Sequence, residues 1–151
     1  MAHGVDISEV SGCTCLRLRR VTRRATQLYD EALLPTGLTI SQFGLLAQLS
    51  ARDGVSMNAL AGRVGMDPTT LNRTLKPLEA NGLVRSGVGE EDRRVRSVSL
   101  TKTGRAKLKQ AIPHWRRAQA KVDKLLGSEM KVALNGLLDV SSARLNEAPA
   151  S

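Results

Sequence analysis

The residues best suited to chemistry fall in two short stretches. Thr69, Thr70, Asn72, Arg73 and Lys76 make up the first. On a helix, at about 100° per residue, Thr69, Arg73 and Lys76 share one side, flanked by Thr70 and Asn72. Leu71, Leu75 and Leu78 fall opposite, within about 60° of one another, as a buried stripe. Arginine bridges the two acceptors of guanine, and asparagine pairs with adenine through one donor and one acceptor. Threonine hydroxyls and the free N–H groups of a first helical turn bind phosphate. The set therefore suits the major groove of a duplex. A plain amphipathic helix carries the same residue types, so context must decide.

The second stretch holds Arg93, Arg94 and Arg96 beside Glu90, Glu91 and Asp92. An arginine at the tip of a hairpin is drawn into the minor groove by its negative potential. Asp92, two residues before Arg94, is placed to support that side chain. A solvated turn with local ion pairs is the alternative, and such pairs contribute little.

Cys13 and Cys15 are a third feature. Cys15 lies near a helix start and one turn from Arg19. Both neighbours favour thiolate, and thiolate favours oxidation. In a regular helix the two cysteines point roughly 200° apart, so a bridge would have to join two chains. Inert residues at an interface are the alternative. Tyr29, Phe43 and Trp115 are the only aromatics. They are candidates to line a ligand pocket, with core packing as the competing role. His3 and His114 show no metal-ligand spacing, and no metal or cofactor is expected. No nucleophile–base pair or phosphate loop supports an enzyme.

Caps and breakers define the elements that must position these residues. A basic helix runs from about Cys13 to Leu34, with Arg17, Arg19, Arg20, Arg23 and Arg24 on one face, and stops at Pro35 and Gly37. Thr39 and Gln42 form a capping box before Phe43, Leu46 and Leu49. Ser56 caps a short helix with Leu60, Ala61 and Val64, and Gly65 makes the turn. Asp67 caps the helix of the first stretch, with Pro68 at its first position. Pro77 should bend or loosen its final turn, and Asn81-Gly82 end it. Leu83–Ser86 and Val95–Leu100 read as strands of a hairpin. Thr101 caps a long helix to about Leu126, kinked near Pro113. Gly127-Ser128 break and recap it into a last helix carrying Val132, Leu134, Leu137, Leu138 and Leu145.

The order is α-α-α-α-β-β-α-α, mainly α with a small β-hairpin wing. A short helix, a glycine turn, a capped helix and a basic hairpin together make a winged helix-turn-helix. Residues 37–100 are its lobe, residues 1–10 a loose N-terminal arm, and residues 11–36 and 101–147 a helical dimerisation region. Long terminal helices with apolar stripes need a partner to pack on.

Composition agrees. The 151 residues carry a net charge of +9, so an anionic partner is expected. Much of that charge lies outside the lobe. Residues 56–104 hold eight Lys or Arg against five acids, a net +3. Aromatics at 2% argue against a single-strand binder, which stacks bases on rings. No apolar run approaches the roughly 18 residues of a membrane span. No signal peptide opens the chain, and two isolated cysteines fit a reducing compartment. A cytoplasmic protein is expected.

From about Cys13 to Leu145 the sequence resembles the MarR family of bacterial transcription factors. Leu38-Thr39, Gln42-Phe43, Leu60-Ala61, Leu71 to Leu78 and Leu83-Val84 carry the likeness. Asp92-Arg93-Arg94 leading to Leu100-Thr101 and Gly104 is its most specific part. The resemblance implies a homodimer on a palindromic operator, usually a repressor, released by a small molecule or an oxidant. It implies that Arg94 reaches the minor groove and that Thr69 to Lys76 enter the major groove. It also implies a ligand pocket between the dimerisation helices and the lobe. Cys15, with Arg23 and Thr26, looks like the sensor region of the family's organic-hydroperoxide branch, although Arg19 stands where that branch has a tyrosine. A constitutive or architectural double-stranded DNA binder without an effector is the alternative.

Overall fold

The computed structural model describes residues 7–89 and 94–147. One helical turn, α1 (Ser8–Ser11), precedes the basic helix α2 (Thr14–Leu33). A 3₁₀ turn (Leu34–Thr36) leads to α3 (Ile40–Ser50), β1 (Val55–Ser56), α4 (Met57–Val64) and α5 (Pro68–Ala80). The hairpin strands are β2 (Val84–Val88) and β3 (Arg96–Leu100), followed by α6 (Lys102–Leu126) and α7 (Ser128–Asn146). This is the winged helix-turn-helix that the sequence predicts. The additions are α1, the 3₁₀ turn and β1, which pairs antiparallel with β3 and makes the sheet order β1-β3-β2.

The caps act where the residue types place them. Thr39 and Gln42 bond reciprocally, which satisfies two of the donors that a helix start leaves open. Ser56 accepts from the Ala59 amide and Asp67 from the Thr70 amide. Asp30, from α2, adds a bond that the sequence does not reveal, accepting from the Ile40 amide at 2.7 Å. Left-handed turns at Gly37, Gly65 and Gly82 end elements where a side chain would be strained.

The helices end where the sequence places them, and one boundary, at the start of α7, needs revision. Both α5 and α6 continue through Pro77 and Pro113. Each proline leaves one carbonyl, of Arg73 or Lys109, without a helical donor, but packing on either side holds the helix together. Ser128 does not recap the chain. Gly127 occupies the cap position of α7 and Ser128 is already helical, without a side-chain cap.

The core is aliphatic, as the scarcity of aromatics requires. Leu33, Leu45, Leu46, Leu49, Leu60, Leu71 and Val98 are fully buried. Phe43 and Trp115 join it as a stacked pair with ring centroids 5.9 Å apart. Lys107 of α6 donates to the Thr36 carbonyl at 3.1 Å, a cation at a helix C-terminus. By contrast, α7 has no buried residue, and the first half of α2 is exposed. Among the described residues no single helix is long and apolar enough to cross a membrane.

Candidate nucleic-acid interface

The α5 helix divides as its sequence dictates. Leu71, Leu75 and Leu78 are at most 1% exposed, while Thr69, Thr70, Arg73 and Lys76 are exposed. Among the described residues Arg73 and Lys76 make no hydrogen bond or ion pair, so their charged ends are available to a ligand. The buried leucines fix the roll of the helix and so fix the direction of that face.

Asp67 builds the start of α5. Its carboxylate accepts from the Thr70 hydroxyl and the Thr70 amide. These bonds, the hydroxyl first, hold its pKa below the usual carboxylate range. Thr70 is therefore engaged with the cap, and Thr69 is left as the outward hydroxyl of the first turn. Asn72 is half-buried, with its amide nitrogen donating to the Pro68 carbonyl at 3.0 Å.

In the wing, Arg94 is exposed. Glu90, Glu91, Asp92 and Arg93 lie outside the described residues, and with them the proposed Asp92 support. Arg96 points back instead of out. Its guanidinium donates to the Asn72 side-chain oxygen at 3.1 Å and to the Ser86 hydroxyl at 2.9 Å, and it lies 3.5 Å from a Glu79 carboxylate oxygen. Ser86 in turn donates to the other Glu79 oxygen. Glu79 and Ser86 were not singled out in the sequence. Helical spacing could have flagged Glu79, seven residues beyond Asn72 and so about two turns along the same flank.

A tight junction joins this lobe to the long helix. The Thr101 hydroxyl donates to the Gly82 carbonyl at 2.6 Å and accepts from the Gly104 amide at 2.9 Å. The Thr101 amide donates to the Leu83 carbonyl. A β-carbon on Gly104 would stand 2.0 Å from that same carbonyl oxygen. Gly104 is thus the residue that lets α6 approach the end of α5.

The other candidates lie away from this face. Cys13 sits at the cap position of α2, outside the helix, and Cys15 is exposed in its first turn; both are free thiols. Cys15 lies on an open, exposed groove along α2 with Leu18, Arg19, Thr22 and Arg23. Tyr29, Phe43 and Trp115 do not line it. The Tyr29 hydroxyl donates to Gln119 at 2.7 Å, and burial, with Asp123 nearby, pushes its pKa up. Gln119 and Lys131 both donate to Asp123, tying α2, α6 and α7 together. His114 lies 3.2 Å from the Ala32 carbonyl and 2.7 Å from Arg117.

Comparison with known proteins matches residues 36–95 to the MarR family. The transcriptional regulator MosR of Mycobacterium tuberculosis, solved in complex with DNA, is 38% identical, with a TM-score of 0.77 over 90% of this chain and 99% of that one. The transcriptional repressor CouR, solved on a 23-mer DNA duplex, is 27% identical, with a TM-score of 0.77 over 91% of this chain and 98% of that one. A helix-turn-helix transcriptional repressor of M. tuberculosis is 36% identical over 91 residues, 60% of this chain and 66% of its own length. A helix-turn-helix regulator of Bacillus cereus is 34% identical over 98 residues, 65% of each chain. The matched segment thus spans just under two thirds of these curated relatives.

Proposed function

Because this chain belongs to the MarR family of DNA-binding transcriptional regulators, we propose that it is a homodimeric repressor of a palindromic operator, released by a small molecule or an oxidant. The observation that carries the reading is α5. A leucine-anchored helix presents Thr69, Arg73 and Lys76 outward beside a basic hairpin. In this reading Arg73 and Asn72 read bases, Thr69 and Lys76 hold phosphates, and Thr70 holds the Asp67 cap. Arg94 enters the minor groove with support from Asp92, and Arg93 is a further DNA contact.

The lobe of residues 37–100 is the reading head, and residues 11–36 with 101–147 are the dimerisation region. Exposed apolar side chains support that division. Leu16, Leu18 and Val21 on α2 and Met130, Val132, Leu137 and Val140 on α7 have no cover in a single chain. A second copy that buries them stabilises both chains and sets two reading heads on one duplex.

Release follows if the effector binds better to the dimer that cannot hold DNA. Cys15, exposed at the start of α2 on the dimerisation side with Cys13 beside it, is the oxidant target in this reading. Operator affinity titrated against peroxide and candidate ligands tests it. Peroxide is expected to weaken binding of the wild type and to leave Cys15→Ser unaffected. Equal weakening of both would sink the Cys15 assignment. Indifference to peroxide and to every ligand tried would favour a constitutive binder.

A further inference from the structure

We infer that Arg96 is a positioning residue, which sets the base-reading geometry of Asn72 and makes no groove contact itself. The inference rests on α5 being the groove helix. Arg96, Val98 and Leu100 alternate along β3 and share one face of the strand. Val98 and Leu100 are buried on that face. Arg96 therefore leaves the strand toward the core side, where the core gives way to the flank of α5.

The bonds follow from that direction. One guanidinium reaches Asn72 and Glu79 on α5 and Ser86 on β2. The Ser86–Glu79 bond closes a ring of three side chains, Arg96, Ser86 and Glu79, and Asn72 is attached to it through Arg96. Ser86 pairs with Val98 and Arg96 with Val88, so the two are diagonal neighbours across the hairpin. With Asn72 the network spans about two turns of α5 and joins it to both strands of the wing.

Asn72 gains an orientation from this. Its amide nitrogen is held by the Pro68 carbonyl and its oxygen by Arg96. Flipping the amide would set its N–H₂ group against the guanidinium. An asparagine amide has two donor hydrogens and two acceptor sites, so one of each remains. That remaining pair is what recognition of adenine uses. Arginine is required because its planar fork serves several acceptors at fixed angles, whereas lysine is a point charge on a flexible stem.

The test measures binding to the preferred duplex and to duplexes changed at each position, over a range of salt. Arg96→Lys is expected to lose about tenfold of discrimination at one base pair, while binding to random DNA stays as in the wild type. Arg96→Ala is expected to lose the same discrimination without changing the slope of log affinity on log salt. In an Asn72→Ala background, Arg96→Lys should add nothing at that base pair. A slope reduced by about one with base preference intact would make Arg96 a phosphate contact and overturn the inference. Additive losses with Asn72→Ala would overturn it too. Arg96→Lys keeps the charge and carries the test if Arg96→Ala does not fold. If the wild type itself prefers no duplex, the groove-reading function fails and this inference with it. A wild-type preference unchanged in Arg96→Lys overturns the inference alone.

Discussion

Gly104→Ala is expected to destabilise the protein by about 3 kcal/mol or more, at or above the upper end for overpacking. The obstacle is a backbone carbonyl, not a side chain that can turn away. The new β-carbon would stand 2.0 Å from the Leu83 oxygen and 2.6 Å from a Leu100 methyl. The Leu83 oxygen is already held by the Thr101 amide and hydroxyl. Either α6 moves away or the turn after α5 shifts, and both disturb the seat of the reading helix. Helix propensity alone argues the opposite sign, since alanine is favoured over glycine by about 1 kcal/mol in a helix. Denaturant unfolding distinguishes the two. A lower midpoint with an unchanged slope supports the close approach. An unchanged or higher midpoint would mean that α6 and Leu83 are not in contact.

Arg73→Ala is expected to reduce discrimination between the preferred duplex and random DNA by about 10- to 100-fold, the range for one lost bidentate base contact. Stability should be unaffected, because Arg73 is exposed and makes no bond among the described residues. Lys76→Ala should behave differently. It is expected to weaken binding to all duplexes alike and to lower the salt slope by about one, as loss of a phosphate contact does. Competition binding at several salt concentrations separates the two signatures. An unchanged discrimination ratio in Arg73→Ala would rule out direct readout by that side chain.

Much of this lobe was legible because its signals are local. Thr39, Ser56, Asp67 and Thr101 each announce a helix start within four residues of sequence. The spacing of Leu71, Leu75 and Leu78 fixes which side of α5 faces out. β1 was not legible because two residues cannot show an alternation of period two. It exists because β3 supplies the pairing. The bond between Arg96 and Asn72 joins residues 24 apart and needs the hairpin register to be known. Read as a basic wing residue, Arg96 looked like a DNA contact; placed on the core side of β3, it looks inward. Gly104 was visible only as part of a resemblance, since no propensity rule predicts a carbonyl against a helix. The apolar residues of α7 form a stripe suited to packing, and a single chain leaves none of them buried.

The central claim is that this chain reads duplex DNA by sequence, through α5 and the wing. Selection of bound duplexes from fragmented genomic DNA, followed by footprinting of the winners, tests it most directly. The expected result is one enriched sequence with two inverted half-sites about 34 Å apart, one helical turn. Binding of every fragment with equal affinity, at all salt concentrations, would contradict it.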